Sequence, residues 1–238
     1  CNQSGLDVED IVLEPLSSSQ AVLSPDEQEV GVVLVDIGGG TTDITIYSEG
    51  SIVHTAVLAL GGNHLTHDIA IGLGTPLQEA EEIKHSDGIA LSDMTDENEM
   101  IAVPSVGGRN NRQMKKMVLA GIIEDRFREI FELIGREIEK THYHKLMASG
   151  VVITGGSCIM PGVDQLAHQV LNMPVRVGFP EHISGLKELI YSPKYATSVG
   201  LVRYGITSNQ GKLNFVGDET NLFHKVSRRM KDWMQDFF

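Results

Sequence analysis

Residues 32–47 read VVLVDIGGGTTDITIY, and their pattern predicts the central part of the fold. The apolar run Val32–Ile37 predicts a central strand buried on both faces, and three glycines follow it. Thr41–Tyr47 and Ser51–Leu58 predict two further strands joined by short turns. An aspartate stands on each side of the glycines, so the first hairpin combines unhindered backbone amides with carboxylates.

This loop has the chemistry of a phosphate-binding turn. Glycine lets backbone N–H groups approach an anion without a Cβ atom in the way, and Thr41 and Thr42 add hydroxyl groups. Asp36 ends the strand, where a carboxylate can hold Mg²⁺ through water or orient an attacking water molecule; it is the candidate catalytic and metal-binding residue. The loop lacks the Walker lysine and the G-x-G-x-x-G pattern of dinucleotide-binding folds. A plain hairpin with a glycine bulge is the alternative.

A second glycine turn occurs later in the chain. VVITGGSCIMPG, residues 151–162, again places a buried strand before glycines and a small residue, with a helix predicted after Pro161. Two turns of this kind in one chain favour a shared phosphate site over two unrelated hairpins.

Composition excludes several function classes. The net charge of −13 argues against a nucleic-acid binder. No apolar run reaches the roughly eighteen residues of a membrane-spanning helix. Two cysteines in no pairing pattern fit a reducing compartment. Because the sequence begins at Cys1 rather than Met, we expect a fragment of a longer protein.

The rest of the chain alternates helices and strands unevenly, which predicts an α/β fold with a mixed sheet. A short strand followed by a helix is predicted within residues 5–23. Further helices are predicted at residues 61–73, 76–88, about 112–140, 161–171 and 193–205, and further strands at residues 101–106 and 174–178.

Together the two glycine turns resemble those of the actin-like ATPase superfamily. There, D-x-G-G-G-T-x-D forms the second phosphate hairpin and the later glycine turn contacts adenosine. AEEIK, residues 80–84, resembles the helix whose Glu and Lys flank the adenosine. More closely, nearly the whole chain is similar in sequence to the bacterial cell-division family FtsA. The segments that carry this similarity are GLDVEDIVLEPLSSSQAVLSPDE, GNHLTHDIAIGL, AVPSVGGRNNR and VVITGG.

The resemblance implies an actin-like (ribonuclease-H-like) second domain, with a mixed sheet, flanking helices, a small inserted subdomain and a C-terminal amphipathic helix. It implies ATP and Mg²⁺ as cofactors. No D-x-G-T/S hairpin precedes Asp36, so only the second half of the two-domain fold is matched. Besides Asp36, the implied nucleotide-binding residues are Gly38, Gly39, Gly40, Thr41, Thr42, Glu81, Lys84, Gly155, Gly156, Ser157 and Met160.

The expected organisation has five parts. They are residues 1–28 (the end of the first domain and its connection), 29–72 with 115–205 (the nucleotide-binding inner subdomain), 73–114 (the small inserted subdomain), 206–222 (a flexible linker) and 223–238 (a membrane-targeting helix).

The final segment, HKVSRRMKDWMQDFF, predicts an amphipathic helix, because five apolar residues recur at offsets 0, 4, 7, 8 and 11. Basic residues lie at the flanks, and the tryptophan and terminal phenylalanines suit a lipid interface. Docking of this helix on the domain's own core is the alternative. The predicted membrane-binding residues are Val226, Met230, Trp233, Met234, Phe237, Phe238, Lys225, Arg228, Arg229 and Lys231.

A basic cluster, Arg109, Arg112, Lys115 and Lys116, stands in the acidic body, where surface charge balance is the alternative interpretation. In the FtsA family the small subdomain captures the C-terminal peptide of FtsZ, so the resemblance implies that these residues bind it.

The implied function is that of an ATP-binding protein that polymerises and tethers FtsZ filaments to the inner face of the cytoplasmic membrane at the division septum. Its implied partners are FtsZ, further copies of itself, other divisome proteins and an anionic membrane surface, with no nucleic acid. It would be at most a weak ATPase. A PilM-type pilus-assembly protein or a sugar-kinase-like phosphotransferase remains the alternative.

The tail generates a direct prediction. A peptide of residues 222–238 should become helical on anionic liposomes, because the apolar stripe is buried in the interface while the basic residues contact lipid headgroups. Circular dichroism and Trp233 fluorescence measure this. Unchanged spectra in the presence of lipid would contradict the membrane-anchor interpretation.

Overall fold

The protein, analysed as a computed structural model, is described over residues 2–5, 8, 10–107, 110–143, 147–181 and 187–208. It divides into two units, Cys1–Gly200 and Leu201–Phe238. The described part of the second unit, residues 201–208, is helical. Arg109 and all ten residues of the predicted membrane-binding set lie outside the described residues.

A mixed five-stranded sheet forms the centre of the first unit. Its strands are β1 (Val32–Ile37), β2 (Thr42–Ser48), β3 (Ser51–Leu58), β6 (Val151–Thr154) and β7 (Val175–Val177), and a separate hairpin contains β4 (Met100–Val103) and β5 (Arg112–Lys115). The order in the sheet is β3-β2-β1-β6-β7. β1 pairs antiparallel with β2, and β2 antiparallel with β3, whereas β1 and β6, and β6 and β7, are parallel. The predicted mixed sheet is therefore confirmed.

The helices connect these strands and cover the sheet. They are α1 (Glu14–Val22), α2 (Pro25–Val30), α3 (Gly62–Leu73), α4 (Leu77–Asp87), α5 (Lys116–Glu139), α6 (Val163–Leu171) and α7 (Lys187–Ile190). Residues 196–200, the last of the first unit, are also helical. Single 3₁₀ turns occur at Asn2–Ser4, Ser92–Met94, Gly156–Ile159 and Pro193–Tyr195.

Local sequence sets several helix ends. α2 begins with a capping box, in which the Ser24 side chain accepts from the Glu27 N–H at 3.2 Å and the Glu27 carboxylate accepts from the Ser24 N–H at 2.8 Å. α3 ends at Gly74, which adopts a left-handed conformation with φ of 60°.

Alternate side chains of the strands face two apolar clusters. Val33, Val35 and Ile37 of β1 belong to the larger cluster, which α3, α5 and α6 cover. Val32 and Leu34 belong to the smaller one, which includes the end of α1 and Ala196. Because both faces of β1 are covered, all six of its residues are buried, as the apolar run predicts.

The long helix begins later than the predicted residue 112. Residues 112–115 form β5, which pairs antiparallel with β4, so α5 starts at Lys116. Eight apolar residues of α5 recur at the helical spacing that predicts one apolar face. Of these, Met117 is exposed and Ile122 is only partly buried, and the buried ones are Ile123, Phe127, Ile130, Phe131, Ile134 and Ile138.

Two further boundaries differ from the predictions. Among the described residues 8 and 10–13 there is no strand, so the predicted strand before α1 is wrong there. Residues 206–208 are helical although they were expected to begin the linker.

Within the described residues, no helix combines the length and apolarity needed to cross a membrane.

Candidate functional site

The parallel pairing of β1 with β6 brings the two glycine turns together. Asp36 stands beside Thr154 in the register, so both turns leave the same edge of the sheet, at the carboxyl ends of the two strands. Ligands bind at such edges in open α/β sheets. The Ser157 hydroxyl donates to the Gly38 carbonyl at 3.1 Å and joins the turns directly.

The start of α3 holds the first turn from the other side. The N–H groups of Gly62 and Asn63 donate to the carbonyl oxygens of Gly38 and Gly39 at 2.9 and 2.7 Å. A Cβ at Gly61 would lie 2.7 Å from the Gly38 oxygen, so only glycine permits this approach. The carbonyl oxygens of the turn therefore point toward α3.

A cavity of about 480 Å³ lies where the two turns meet α3 and α4. Seven of the predicted nucleotide-binding residues line it: Gly38, Gly39, Glu81, Lys84, Gly156, Ser157 and Met160. Lining residues that the sequence analysis missed are Gly62, Asn63, Leu65, His85, Gly88, Ile159, Pro161 and Lys194. Apolar walls with a few convergent polar groups are typical of small-molecule sites.

The remaining predicted residues do not line this cavity. Gly40 and Thr41 are exposed at the hairpin tip, and the Thr41 hydroxyl donates to Asp43 at 3.3 Å. Thr42 is buried and donates its hydroxyl proton to the Leu60 carbonyl at 2.8 Å, so its single proton is used within the fold. Gly155, with φ of 94°, lies behind the lining next to Asp36.

Lys84 is the centre of a hydrogen-bond network on the wall of the cavity. Its buried ammonium group donates to Glu81 at 2.7 Å, to the Thr66 hydroxyl at 2.8 Å and to the Gly62 carbonyl at 3.2 Å. An ammonium group has three protons, so all three have partners inside the protein. Thr66 also donates to Glu81.

The same network sets the charge of Glu81. Burial alone would raise its pKa, but the hydrogen bonds from Lys84 and Thr66 hold the pKa of Glu81 below its ordinary value. Glu81 is thus ionised near neutral pH, and its carboxylate and the Lys84 ammonium group, 2.7 Å apart, largely cancel each other's charge.

Asp36 is buried, with 6% of its surface exposed, and its Oδ2 accepts from the Ser18 hydroxyl at 2.6 Å and from Thr197 at 3.3 Å. Burial raises the pKa of Asp36, and the nearby Asp43 raises it further. The pKa of Glu14 is raised by burial and then by the charges of Asp36 and Asp43. Three carboxylates thus lie close enough to influence one another.

Sequence reasoning missed Glu14, because residues 1–28 were expected to belong to the end of another domain. Glu14 begins α1, which packs against the central sheet. The feature of the sequence that could have placed Glu14 at a helix start is Pro15, because proline is favoured in the first turn of a helix. Its nearness to Asp36 depends on packing and has no local signal.

The three described residues of the predicted basic cluster, Arg112, Lys115 and Lys116, have different surroundings. Arg112 donates to the carbonyl oxygens of Leu73 and Gly74 and so caps the end of α3. Lys116 pairs with Glu99 at 2.8 Å and is largely covered. Lys115 is exposed on β5.

Among the residues that the structure describes, no group of three or more His, Cys, Asp or Glu side chains is arranged to hold a metal ion.

Residues 33–200 match the family described as Cell division protein FtsA. This chain belongs to the FtsA family. It is 43% identical to FtsA of Pseudomonas aeruginosa over 98% of this chain and 57% of that protein, and 38% identical to FtsA of Escherichia coli K12 over 97% and 55%. The chain thus spans a little over half the length of these FtsA relatives.

Solved structures show the actin-like fold. MreB5 of Spiroplasma citri bound to AMPPNP matches with a TM-score of 0.72 and 20% identity, over 90% of this chain and 64% of that one. The PilM–PilN type IV pilus biogenesis complex matches with a TM-score of 0.65 and 18% identity, over 86% and 55%. At these identities the likeness shows the fold alone. The FtsA family match separates this chain from the PilM-type alternative, which shares its architecture.

The contact between the two turns predicts the effect of a side chain at Gly155. Gly155→Val should destabilise the protein by about 3 kcal/mol, because a Cβ there overlaps Asp36 and the Ile37 carbonyl and the positive φ is strained. Urea denaturation measures this. Gly40→Ala is the control, because no atom lies within 4 Å of its added Cβ. Equal stability of the Gly155 variant and the wild type would contradict the described packing.

Proposed function

We propose that this chain is the ATP-binding portion of an actin-like cell-division protein that links FtsZ filaments to the cytoplasmic membrane. The observation that carries the proposal is the cavity between the two glycine turns, lined by seven residues that the actin-like pattern identifies. Membership in the FtsA family and the actin-like fold support it. Two solved forms of MreB5 from Spiroplasma citri are described as bound to ADP and to AMPPNP, which supports a nucleotide ligand.

The phosphates would lie against the glycine turns. Gly39, Gly156 and the Ser157 hydroxyl line this part of the cavity. The adenosine would lie farther along, between the apolar wall of Ile159 and Met160 and the polar wall of α4. The Glu81 carboxylate would then accept a hydrogen bond from the nucleoside, while Lys84, whose three protons have partners inside the protein, offsets its charge.

The carboxylates near Asp36 fit a magnesium ion by their chemistry. Carboxylate oxygens are the ligands that Mg²⁺ prefers, and a cation would offset the burial and the repulsion that together raise the pKa of Asp36 and Glu14. Asp36 would hold the ion, which would neutralise the charge of the phosphates when bound. With Asp36 assigned to the ion, the neighbouring Glu14 is the candidate for a general base in a weak ATPase.

A variant in the cavity wall tests the nucleotide proposal. Met160→Glu should weaken binding of Mg²⁺–ATP at least about tenfold, because it places an uncompensated carboxylate beside an anionic ligand. Titration of the chain with a fluorescent ATP analogue measures this. Met100→Glu is the matched control, because Met100 is exposed on β4 outside the cavity. Unchanged affinity of the Met160 variant would contradict nucleotide binding in this cavity.

The proposal includes capture of FtsZ by the hairpin of β4 and β5. The acidic C-terminal peptide of FtsZ would contact the basic side chains of this segment. Lys115 is the exposed one, whereas Arg112 also caps α3 and Lys116 is paired with Glu99. We therefore assign the main charge contact to Lys115.

Charge reversal at Lys115 tests this contact. Lys115→Glu should weaken binding of the FtsZ peptide about three- to tenfold, because an attractive charge becomes repulsive. Lys140→Glu, at the far end of α5, makes the same change of net charge at an exposed site and should have little effect. Fluorescence anisotropy of the labelled peptide measures both. Equal losses for the two variants would indicate a general charge effect and contradict a specific site.

The membrane anchor remains part of the proposal. One amphipathic helix gives only reversible attachment, so firm tethering needs many copies, as a filament supplies. The proposed place of action is the cytoplasmic face of the inner membrane at the division site, together with other divisome proteins.

A further inference from the structure

Three consecutive serines of α1 are buried: Ser17, Ser18 and Ser19. A buried hydroxyl group destabilises a fold unless it has a hydrogen-bond partner, so the partners of these three residues are informative. Ser17 donates to the Thr197 carbonyl at 2.6 Å, and Ser19 accepts from the Tyr47 hydroxyl at 2.6 Å. Ser18 alone donates to Asp36, at 2.6 Å.

Thr197 completes the surroundings of Asp36 from another element. Its hydroxyl lies 2.9 Å from Ser18 Oγ and 3.3 Å from Asp36 Oδ2. Because Ser18 donates its single proton to Asp36, the Thr197 proton is the one shared between Ser18 Oγ and Asp36 Oδ2. One carboxylate oxygen at the end of β1 is therefore held by α1 and by residues 196–200.

α1 and the helical residues 196–200 are packed closely against each other. A Cβ at Gly200 would overlap the Ser17 carbonyl, so the backbones are in close contact. Ala196, one turn earlier, is buried in the same apolar cluster as the end of α1. A shift of one segment against the other would thus change the distances from Ser18 and Thr197 to Asp36.

We propose that Ser18 and Thr197 are positioning residues for Asp36, which link the nucleotide site to the packing of α1 against residues 196–200. This inference rests on the proposed function for its consequence, since the position of Asp36 matters to a ligand only if the site binds Mg²⁺–nucleotide. The hydrogen-bond link itself does not depend on a ligand.

A thermodynamic cycle tests the link in the ligand-free chain. Ser18→Ala and Thr197→Val should each lower Tm by roughly 3 to 8 °C, because each removes a hydrogen bond to a buried carboxylate. In an Asp36→Ala background the same changes should have little further effect, because the acceptor is gone. Asp36→Leu, which fills the space without an acceptor, is the second background if the alanine variant does not fold.

Ser19→Ala is the matched control, because it removes a neighbouring buried hydroxyl that contacts Tyr47 and not Asp36. It should lower Tm equally with and without Asp36. Thr197→Ser retains the hydroxyl and should restore the behaviour of the wild type. Equal effects of Ser18→Ala in both backgrounds would overturn the proposal.

Binding of a fluorescent ATP analogue with Mg²⁺ tests the functional consequence. Ser18→Ala and Thr197→Val should weaken binding about five- to tenfold, whereas Ser19→Ala should leave it unchanged. Equal losses for all three would reduce the effect to general destabilisation and overturn the positioning role. If the wild-type chain bound no nucleotide, the proposed function would fail, while the Tm cycle would still decide whether Ser18 and Thr197 hold Asp36.

Discussion

The parallel pairing of β1 with β6 is the constraint on which the site depends. These strands are far apart in the sequence, yet their register places Asp36 beside Thr154. Each strand is followed by a glycine turn, so pairing alone brings two otherwise unremarkable loops to one edge of the sheet. The hydrogen bond from Ser157 to Gly38 then fixes their separation. A shift of the register by one residue would displace the two turns relative to each other and exchange the faces that one strand presents to the two apolar clusters.

The apolar packing protects that register. β1 is buried on both faces, with α5 and α6 contributing to the larger cluster and the end of α1 to the smaller. Phe127 and Phe131 of α5 stack in this core with their ring centroids 5.9 Å apart. The close contacts around the turns, at Gly61 and Gly155, tolerate little movement, and a rigid core beneath them supplies that precision.

The sequence predicted those parts of the fold that have a strong local pattern. The three strands around the first turn, both glycine turns and the stripe of α5 depend on apolar spacing, and the structure places them within a few residues of the predicted bounds. β5 was missed because Arg112–Lys115 is almost entirely polar and pairs only with β4. The roles of Glu14, Ser18 and Thr197 were missed for another reason: their contacts join residues distant in the chain, and no short spacing reports them.

The site also explains how an anion can be held without a Walker lysine. Lys84 is the buried lysine of the cavity wall, but its three protons are directed to Glu81, Thr66 and Gly62. Its charge therefore stabilises the wall and contributes little to a ligand. Backbone N–H groups of the two turns remain, because the Ser157 hydroxyl donates its proton to the Gly38 carbonyl, and Lys194 also lines the cavity. Anion binding by backbone N–H groups depends on the geometry of the turns more than on charged side chains. Glycine therefore occupies the positions where the two turns and α3 approach most closely.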